Sequence, residues 1–178
     1  MDTKPQGLDG EFARRVIKLM AAVNVRVYKL TRGRLGGTWR VGAGWRNPVP
    51  ICLLEHRGRR TGKVRITPLV YLADGDRVLV VASQAGRKNH PLWFRNIEAD
   101  PAVTVQIRGE RRAMRARTAG PEERSELWPR LVDLYSDYDS YQSWTDREIP
   151  VVLLETALSS TAPCPGRGHD SATGCMGA

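Results

Sequence analysis

Two small turns constrain this chain more than any other feature. Asp74-Gly75-Asp76 and Arg108-Gly109-Glu110 each stand between short apolar runs, the pattern of a tight hairpin. Such hairpins join antiparallel strands, whereas a parallel pair needs a crossover of about a dozen residues or more. Around them we read six strands: Ile51–Glu55, Val64–Leu72, Arg77–Ser83, Ala102–Ile107, Arg111–Thr118 and Val151–Glu155. Helices are predicted over Pro91–Glu98, with Pro at its start, over Pro121–Tyr135, with Glu122 and Glu123 in its first turn, and over Asp139–Thr145. Residues 38–50, holding Gly42, Gly44, Pro48 and Pro50, read as a loop. This order does not fit a doubly wound parallel sheet. It predicts an α+β chain, mainly β: an antiparallel barrel with helices at its ends.

The 178 residues suit one domain. Residues 1–10 read as a flexible start, 11–156 as the folded unit and 157–178, rich in Gly, Pro, Ser and Thr, as a disordered tail. No apolar run approaches the ~18 residues of a membrane span. The N-terminus lacks the basic-then-apolar pattern of a secretory leader, so a cytoplasmic protein is expected. Phe12, Val16, Ile17, Leu19, Met20, Val23 and Val27 recur at helical spacing among Arg14, Arg15, Lys18, Arg26 and Lys29. That basic amphipathic helix either packs on the core or lies on an anionic bilayer.

The net charge of +9 is unevenly spread. Residues 11–40 hold eight Lys and Arg against Glu11 alone, and 119–156 hold nine acids against three bases. Arg57, Arg59, Arg60, Lys63 and Arg65 crowd into nine residues without an acid. A basic half and an acidic half point to an anionic partner for the first. Cys52 sits in an apolar run and reads as a small buried hydrophobe. Cys164, His169 and Cys175 fit no zinc spacing, and no metal is expected.

Four segments could carry chemistry. Gly58-Arg59-Arg60-Thr61-Gly62-Lys63 misses the P-loop spacing and has Val64 where Ser or Thr should follow the Lys. It reads as a turn between strands, able to offer guanidinium forks and backbone N–H groups to phosphate, or as a solvated basic hairpin. Ala82-Ser83-Gln84-Ala85-Gly86-Arg87-Lys88 is a small-residue loop that lets a ligand approach the backbone, or an ordinary connection. In Pro91-Leu92-Trp93-Phe94-Arg95-Asn96 the adjacent rings cannot share a helix face, so one is core and the other could cover a ligand. Preceding them, His90 reads as structural. Tyr135, Tyr138, Tyr141 and Trp144 recur every three residues, which on a helix sets them on one side. They line a substrate mouth or shield a barrel end. No nucleophile–base–orienter set and no Gly-x-Gly-x-x-Gly appears, so the chemistry would belong to a cofactor.

Taken in order, Gly58–Gly62, Arg65 with Thr67-Pro68-Leu69, Val81-Ala82-Ser83, Pro91–Asn96 and Tyr135 through Arg147 resemble the deazaflavin (F420)-dependent nitroreductases, actinobacterial F420H2-dependent quinone reductases. The likeness runs from about Phe12 to Glu155. It implies a split antiparallel β-barrel of the FMN-binding type and coenzyme F420 as cofactor. Arg59, Arg60, Lys63 and Arg65 would meet the coenzyme's anionic tail. Thr67, Pro68, Leu69, Val70, Val81, Ala82, Ser83, Gln84, Leu92, Trp93, Phe94, Arg95, Asn96 and Tyr138 would complete its pocket. Tyr135, Tyr138 and Tyr141 would face the acceptor, a quinone such as menaquinone or a nitroaromatic. Hydroxyl chemistry names Ser83 and Tyr138 as hydrogen-bond or proton donors to that acceptor. Gln84 stands where relatives often carry Lys, and Val70 where some carry an aromatic. A quinone acceptor also adds weight to peripheral membrane contact by the N-terminal helix. The rival readings are an FMN-dependent reductase on the same barrel and a non-catalytic coenzyme or lipid carrier. A nucleic-acid binder is disfavoured, because the aromatics gather in the acidic half away from the arginines.

Overall fold

The computed structural model describes residues 23, 25–28, 30–31, 37–39 and 47–156. Its strands are β1 (Thr38–Trp39), β2 (Val49–Arg57), β3 (Val64–Asp74), β4 (Arg77–Val81), β5 (Ala102–Ile107), β6 (Glu110–Thr118) and β7 (Val151–Thr156). Its helices are α1 (Leu92–Ala99), α2 (Pro121–Leu134) and α3 (Asp137–Ser143), with a single 3₁₀ turn at Gln84–Gly86. The strand order is β1-β2-β3-β4-β7-β6-β5, and β2 also pairs with β5. Six antiparallel strands therefore close into a barrel, which leaves β2 to β7 no open edge.

Both predicted hairpins form. Asp74 faces Arg77 across a two-residue turn in which Gly75 takes φ +61°, as short hairpins need. Ile107 faces Glu110, so the second turn is Arg108-Gly109 and Glu110 belongs to the strand. Here the positive φ falls on Arg108, at +54°. Its N–H donates to the Tyr28 hydroxyl at 2.6 Å, and Tyr28 in turn donates to the Ile51 carbonyl. Tyr28 belongs to helical residues 25–28 and is fully buried. The rest of the predicted N-terminal helix, and the tail with Cys164, His169 and Cys175, lie outside the described residues.

Several boundaries move. Residues 38–50 are not all loop: Thr38 and Trp39 pair with Pro50 and Val49, so β2 starts before its apolar run. The third strand stops at Val81, and Ser83 lies beyond it. α3 starts at Asp137 and ends at Ser143. Tyr135 caps the preceding helix, so the tyrosines do not share one continuous helix.

Two cores explain the long apolar strands. Cys52, Leu54, Val78, Val80, Val103, Val105, Met114, Ala116, Val152 and Leu154 point into the barrel with Leu69 and Tyr71. Trp93, Phe94 and Ile97 of α1 join this interior cluster. The alternate residues Leu79, Val81, Val151 and Leu153 point outward and are covered by Leu127, Leu131, Tyr135 and Tyr138. Strands β4 and β7 are thus buried on both faces and lose the apolar–polar alternation. β6 keeps it: Met114 and Ala116 are buried, alternating with exposed Ala113, Arg115 and Arg117. Cys52 is fully buried, and burial pushes its thiol up to about 12, an inert hydrophobe as expected. Among the described residues no helix is long and apolar enough to cross a membrane.

Candidate functional site

The β2–β3 turn is built tightly. The Gly58 N–H donates to the Lys63 carbonyl at 2.9 Å, the Gly62 N–H returns to the Gly58 carbonyl at 2.7 Å, and Gly62 takes φ +64°. A Cβ on Gly58 would lie 2.9 Å from Thr61 Oγ1, so Thr61 would have to shift for any other residue there. Closure turns the basic run towards α1. Between them opens a cleft of about 850 Å³ lined by Arg59, Arg60, Arg65, Thr67, Gln84, Trp93, Arg95 and Asn96 among others. That volume suits a coenzyme-sized ligand.

A polar chain ties the two walls. The Arg59 N–H donates to Asn96 Oδ1 at 3.1 Å. Asn96 Nδ2 donates to His56 Nδ1 at 3.2 Å. With Nδ1 accepting, the His56 proton sits on Nε2, which donates to Thr67 Oγ1 at 3.2 Å. The Thr67 hydroxyl keeps its own proton for the cleft. His56 is therefore neutral, and burial followed by the nearby Arg65 charge lowers its pKa. Both His56 and Asn96 are buried, and the chain satisfies polar groups that would otherwise be costly there.

Arg59, Arg60, Lys63, Arg65 and Arg95 have no carboxylate partner among the described residues, whereas Arg77, Arg111, Arg112, Arg117, Arg124 and Arg130 all do. The cleft's donor set is guanidinium forks, which match phosphate and carboxylate oxygens; the turn's N–H groups at Gly58, Arg59, Thr61, Gly62 and Lys63 are engaged within the fold. Leu92, 71% exposed, and Trp93 add an apolar stretch beside them. An anionic, flat-ringed coenzyme fits both surfaces.

Not every predicted residue lines the cleft. Lys63 is exposed on the turn. Leu69 packs on the barrel interior, whereas Val70 packs on the outer core with Tyr141. Pro68, Leu69 and Val70 thus cannot present their side chains to one ligand face. The Val81, Ala82 and Phe94 side chains are core and do not line the cleft. Trp93 both lines the cleft and reaches the core. Gln84, with its amide nitrogen turned inward, donates to the Asn89 and His90 carbonyls at 3.0 and 3.1 Å. It braces a loop where a Lys would add charge.

The tyrosines gather as rings on the outer core, not at a barrel end. Tyr135 and Tyr138 centroids are 5.1 Å apart, Tyr138 and Tyr141 6.4 Å, and Tyr141 and Trp144 5.5 Å. The Tyr135 and Tyr141 hydroxyls lie 3.4 Å apart, and Tyr141 reaches Asp137. Burial raises the pKa of all three phenols. Tyr138 is 4% exposed, and no hydrogen bond engages its hydroxyl among the described residues. Beside this cluster, Gly86 is packed against the Tyr141 carbonyl and the Trp144 ring, and a Cβ on it would come within 2.7 Å of that oxygen.

Two residues escaped the sequence reading. His56 occupies the inward position two beyond Leu54; a polar residue ending an inward apolar alternation was its signal. Arg147, the last residue of the tyrosine-bearing motif, is the second. Its guanidinium reaches the Ala82, Ser83 and Arg87 carbonyls and His90.

Residues 20–156 match the family described as F420H(2)-dependent quinone reductase. A Mycobacterium tuberculosis protein named "Putative F420H(2)-dependent quinone reductase" is 51% identical over 115 residues, covering 65% of this chain and 97% of its own. An F420H(2)-dependent quinone reductase of the same organism is 34% identical over 131 residues, covering 72% of this chain and 84% of its own. The solved structure of an F420-H2 dependent reductase superposes with a TM-score of 0.56 at 37% identity, over 60% of this chain and 94% of that one.

Proposed function

The chain belongs to the F420H(2)-dependent quinone reductase family, and on that premise we propose that the basic cleft holds reduced coenzyme F420 for the reduction of a quinone. The protein is an oxidoreductase with F420 as its coenzyme. When bound, the deazaflavin supplies a hydride, because its ring has carbon where a flavin has its central reactive nitrogen. Binding and orientation fall to this chain. Arg59, Arg60, Arg65 and Arg95 take the phosphate and carboxylates of the tail; Lys63 adds charge from the turn. Asn96 and Thr67, held by His56, offer polar contacts, while Leu92 and Trp93 cover apolar surface. The backbone of Val81 to Gln84 completes the wall.

The acceptor side belongs to Tyr135, Tyr138 and Tyr141. Tyr138 carries a buried hydroxyl that nothing described engages, and its raised pKa keeps it protonated. It donates a hydrogen bond to the acceptor oxygen as negative charge develops there, or supplies the proton. Ser83, just beyond β4, is the second hydroxyl for that role. Menaquinone is the acceptor we favour, with nitroaromatics as adventitious ones. A lipid-soluble acceptor also favours peripheral contact of the N-terminal helix with the membrane.

One observation carries this reading: a coenzyme-sized cleft whose arginines have no carboxylate partners among the described residues. Fluorescence titration with oxidised F420, followed by mixing the reduced form with a menaquinone analogue, tests it. Tight binding and coenzyme reoxidation above the protein-free rate are expected. Binding without reoxidation would leave a carrier, and absence of binding would refute the cleft assignment.

A further inference from the structure

The loop that closes the cleft beyond β4 is backbone-strained. Gln84, Ala85 and Gly86 have φ of +48°, +52° and +64° in succession. Two of these residues carry a Cβ, which the left-handed region crowds against the following carbonyl oxygen. Such a conformation persists only where its surroundings over-determine it.

The surroundings are largely one side chain. Arg147 Nη2 donates to the Ser83 carbonyl at 2.7 Å and the Ala82 carbonyl at 3.2 Å. Its Nε donates to the Arg87 carbonyl at 2.9 Å, and its Nη1 to His90 Nδ1 at 3.3 Å. These four acceptors bracket the left-handed turn on both sides. Only a planar fork with donors on three nitrogens can hold them together. No carboxylate pairs with this guanidinium among the described residues, and burial lowers its pKa. Its charge is spent on backbone oxygens.

Arg147 is itself held. Gln142 Nε2 donates to the Arg147 carbonyl at 2.9 Å, while Gln142 Oε1 accepts from the Ile149 N–H at 2.9 Å and from Arg124 at 3.0 Å. From below, Gly86 rests on Tyr141 and Trp144. On its other side the same loop presents Gln84 and Pro91 to the cleft.

We infer that Arg147 is a positioning residue for coenzyme binding: it clamps residues 82–90 around the left-handed turn at Gln84, Ala85 and Gly86, which forms one wall of the cleft. It touches neither coenzyme nor acceptor. The inference rests on the cleft being the F420 site, but the clamp itself can be read without coenzyme.

The test compares wild type, Arg147→Ala and Arg147→Lys in the full chain, by amide hydrogen exchange without ligand and by fluorescence titration with oxidised F420. In Arg147→Ala, amides of residues 83–90 should lose protection while those of β2, β4 and β7 keep theirs. The F420 dissociation constant should rise at least about tenfold, the worth of one or two charge-assisted hydrogen bonds. Turnover at saturating coenzyme should fall by less than the affinity does, since Ser83 moves with the loop but no hydroxyl is removed. Added guanidinium should recover part of the affinity. Arg147→Lys should show the same changes in smaller measure, and it decides the matter if the alanine variant does not fold. Unchanged loop protection overturns the inference, as does a loss of protection spread over the whole barrel. If wild type binds no F420, the functional reading fails, and exchange at residues 83–90 still decides the clamp.

Discussion

The arginines of the cleft and those of the outer sheet lead opposite lives. On β6 three of the four guanidiniums find carboxylates: Arg117 bridges Glu123 and Glu155, Arg112 pairs with Glu110, and Arg111 with Glu55. Asp74 is shared by Arg77 and Arg130. Around the cleft Arg59, Arg60, Arg65 and Arg95 have no such partners among the described residues, though they lie close together. Self-repulsion makes that arrangement unfavourable until an anion arrives. On the proposed reading the paired cations of the outer sheet serve the fold, and the four around the cleft serve a ligand.

The sharpest way to break this contrast is to reverse charge on each side. Arg60→Glu with Arg65→Glu should weaken F420 binding by about a hundredfold or more, since two charge-assisted contacts of roughly 1.5–3 kcal/mol each are lost. Thermal stability should hold or rise, because like-charge repulsion falls. A fluorescence titration beside a melting curve reads both. Destabilisation with intact binding would make these residues structural and dissolve the contrast.

Next in size is Tyr138→Phe, which removes a hydroxyl and nothing else. Turnover should drop by about ten- to a hundredfold, in the range of a lost proton or hydrogen-bond donor. F420 affinity should not change. Stability should not fall either, since a buried hydroxyl without a partner contributes none. Full turnover in both Tyr138→Phe and Ser83→Ala would remove the donor role from each.

How much of this was readable beforehand follows from the range of the interactions. Hairpins are local: Gly75 between Asp74 and Asp76 fixes a turn by itself, so the barrel was legible. The outer core was not, because whether Tyr135 and Tyr138 cap an end or cover β4 and β7 depends on where α2 lands. The basic turn announced an anion in sequence, while its brace did not. Asn96 and His56 meet across forty residues, and Arg147 reaches the Ser83 carbonyl from sixty-four away. Side chains whose partners are backbone carbonyls leave no compositional trace. Thr38 and Trp39 were misread for a related reason: two residues are too few to show a period, and only β2 as partner makes them a strand.

On the paired side the effects should be small. Arg117→Ala breaks an exposed network, with its side chain 43% exposed. Such pairs contribute about 0.2–1 kcal/mol apiece, so the melting temperature should fall by a few degrees at most. F420 affinity should be unaffected. A tenfold loss of affinity in Arg117→Ala would show that the two sets of arginines are not independent.

The smallest effect concerns the buried link behind the cleft cations. His56 must stay neutral to accept from Asn96, and burial together with Arg65 lowers its pKa. Unfolding releases it to the ordinary histidine value near 6.5, so the unfolded chain binds the proton more readily. Its contribution to stability is then full above about pH 6.5 and is lost as pH falls from there towards the depressed native value. His90, lowered by burial and by Arg147, acts with the same sign. His56→Gln keeps an acceptor for Asn96 and a donor for Thr67 but cannot titrate. Melting curves between about pH 7 and pH 5 should therefore fall less steeply in this variant, with His90 supplying the remaining slope. An unchanged slope would mean that His56 accepts its proton in the native protein. The Asn96 amide would then have to turn its oxygen towards the ring, and the Arg59 N–H would lose its acceptor.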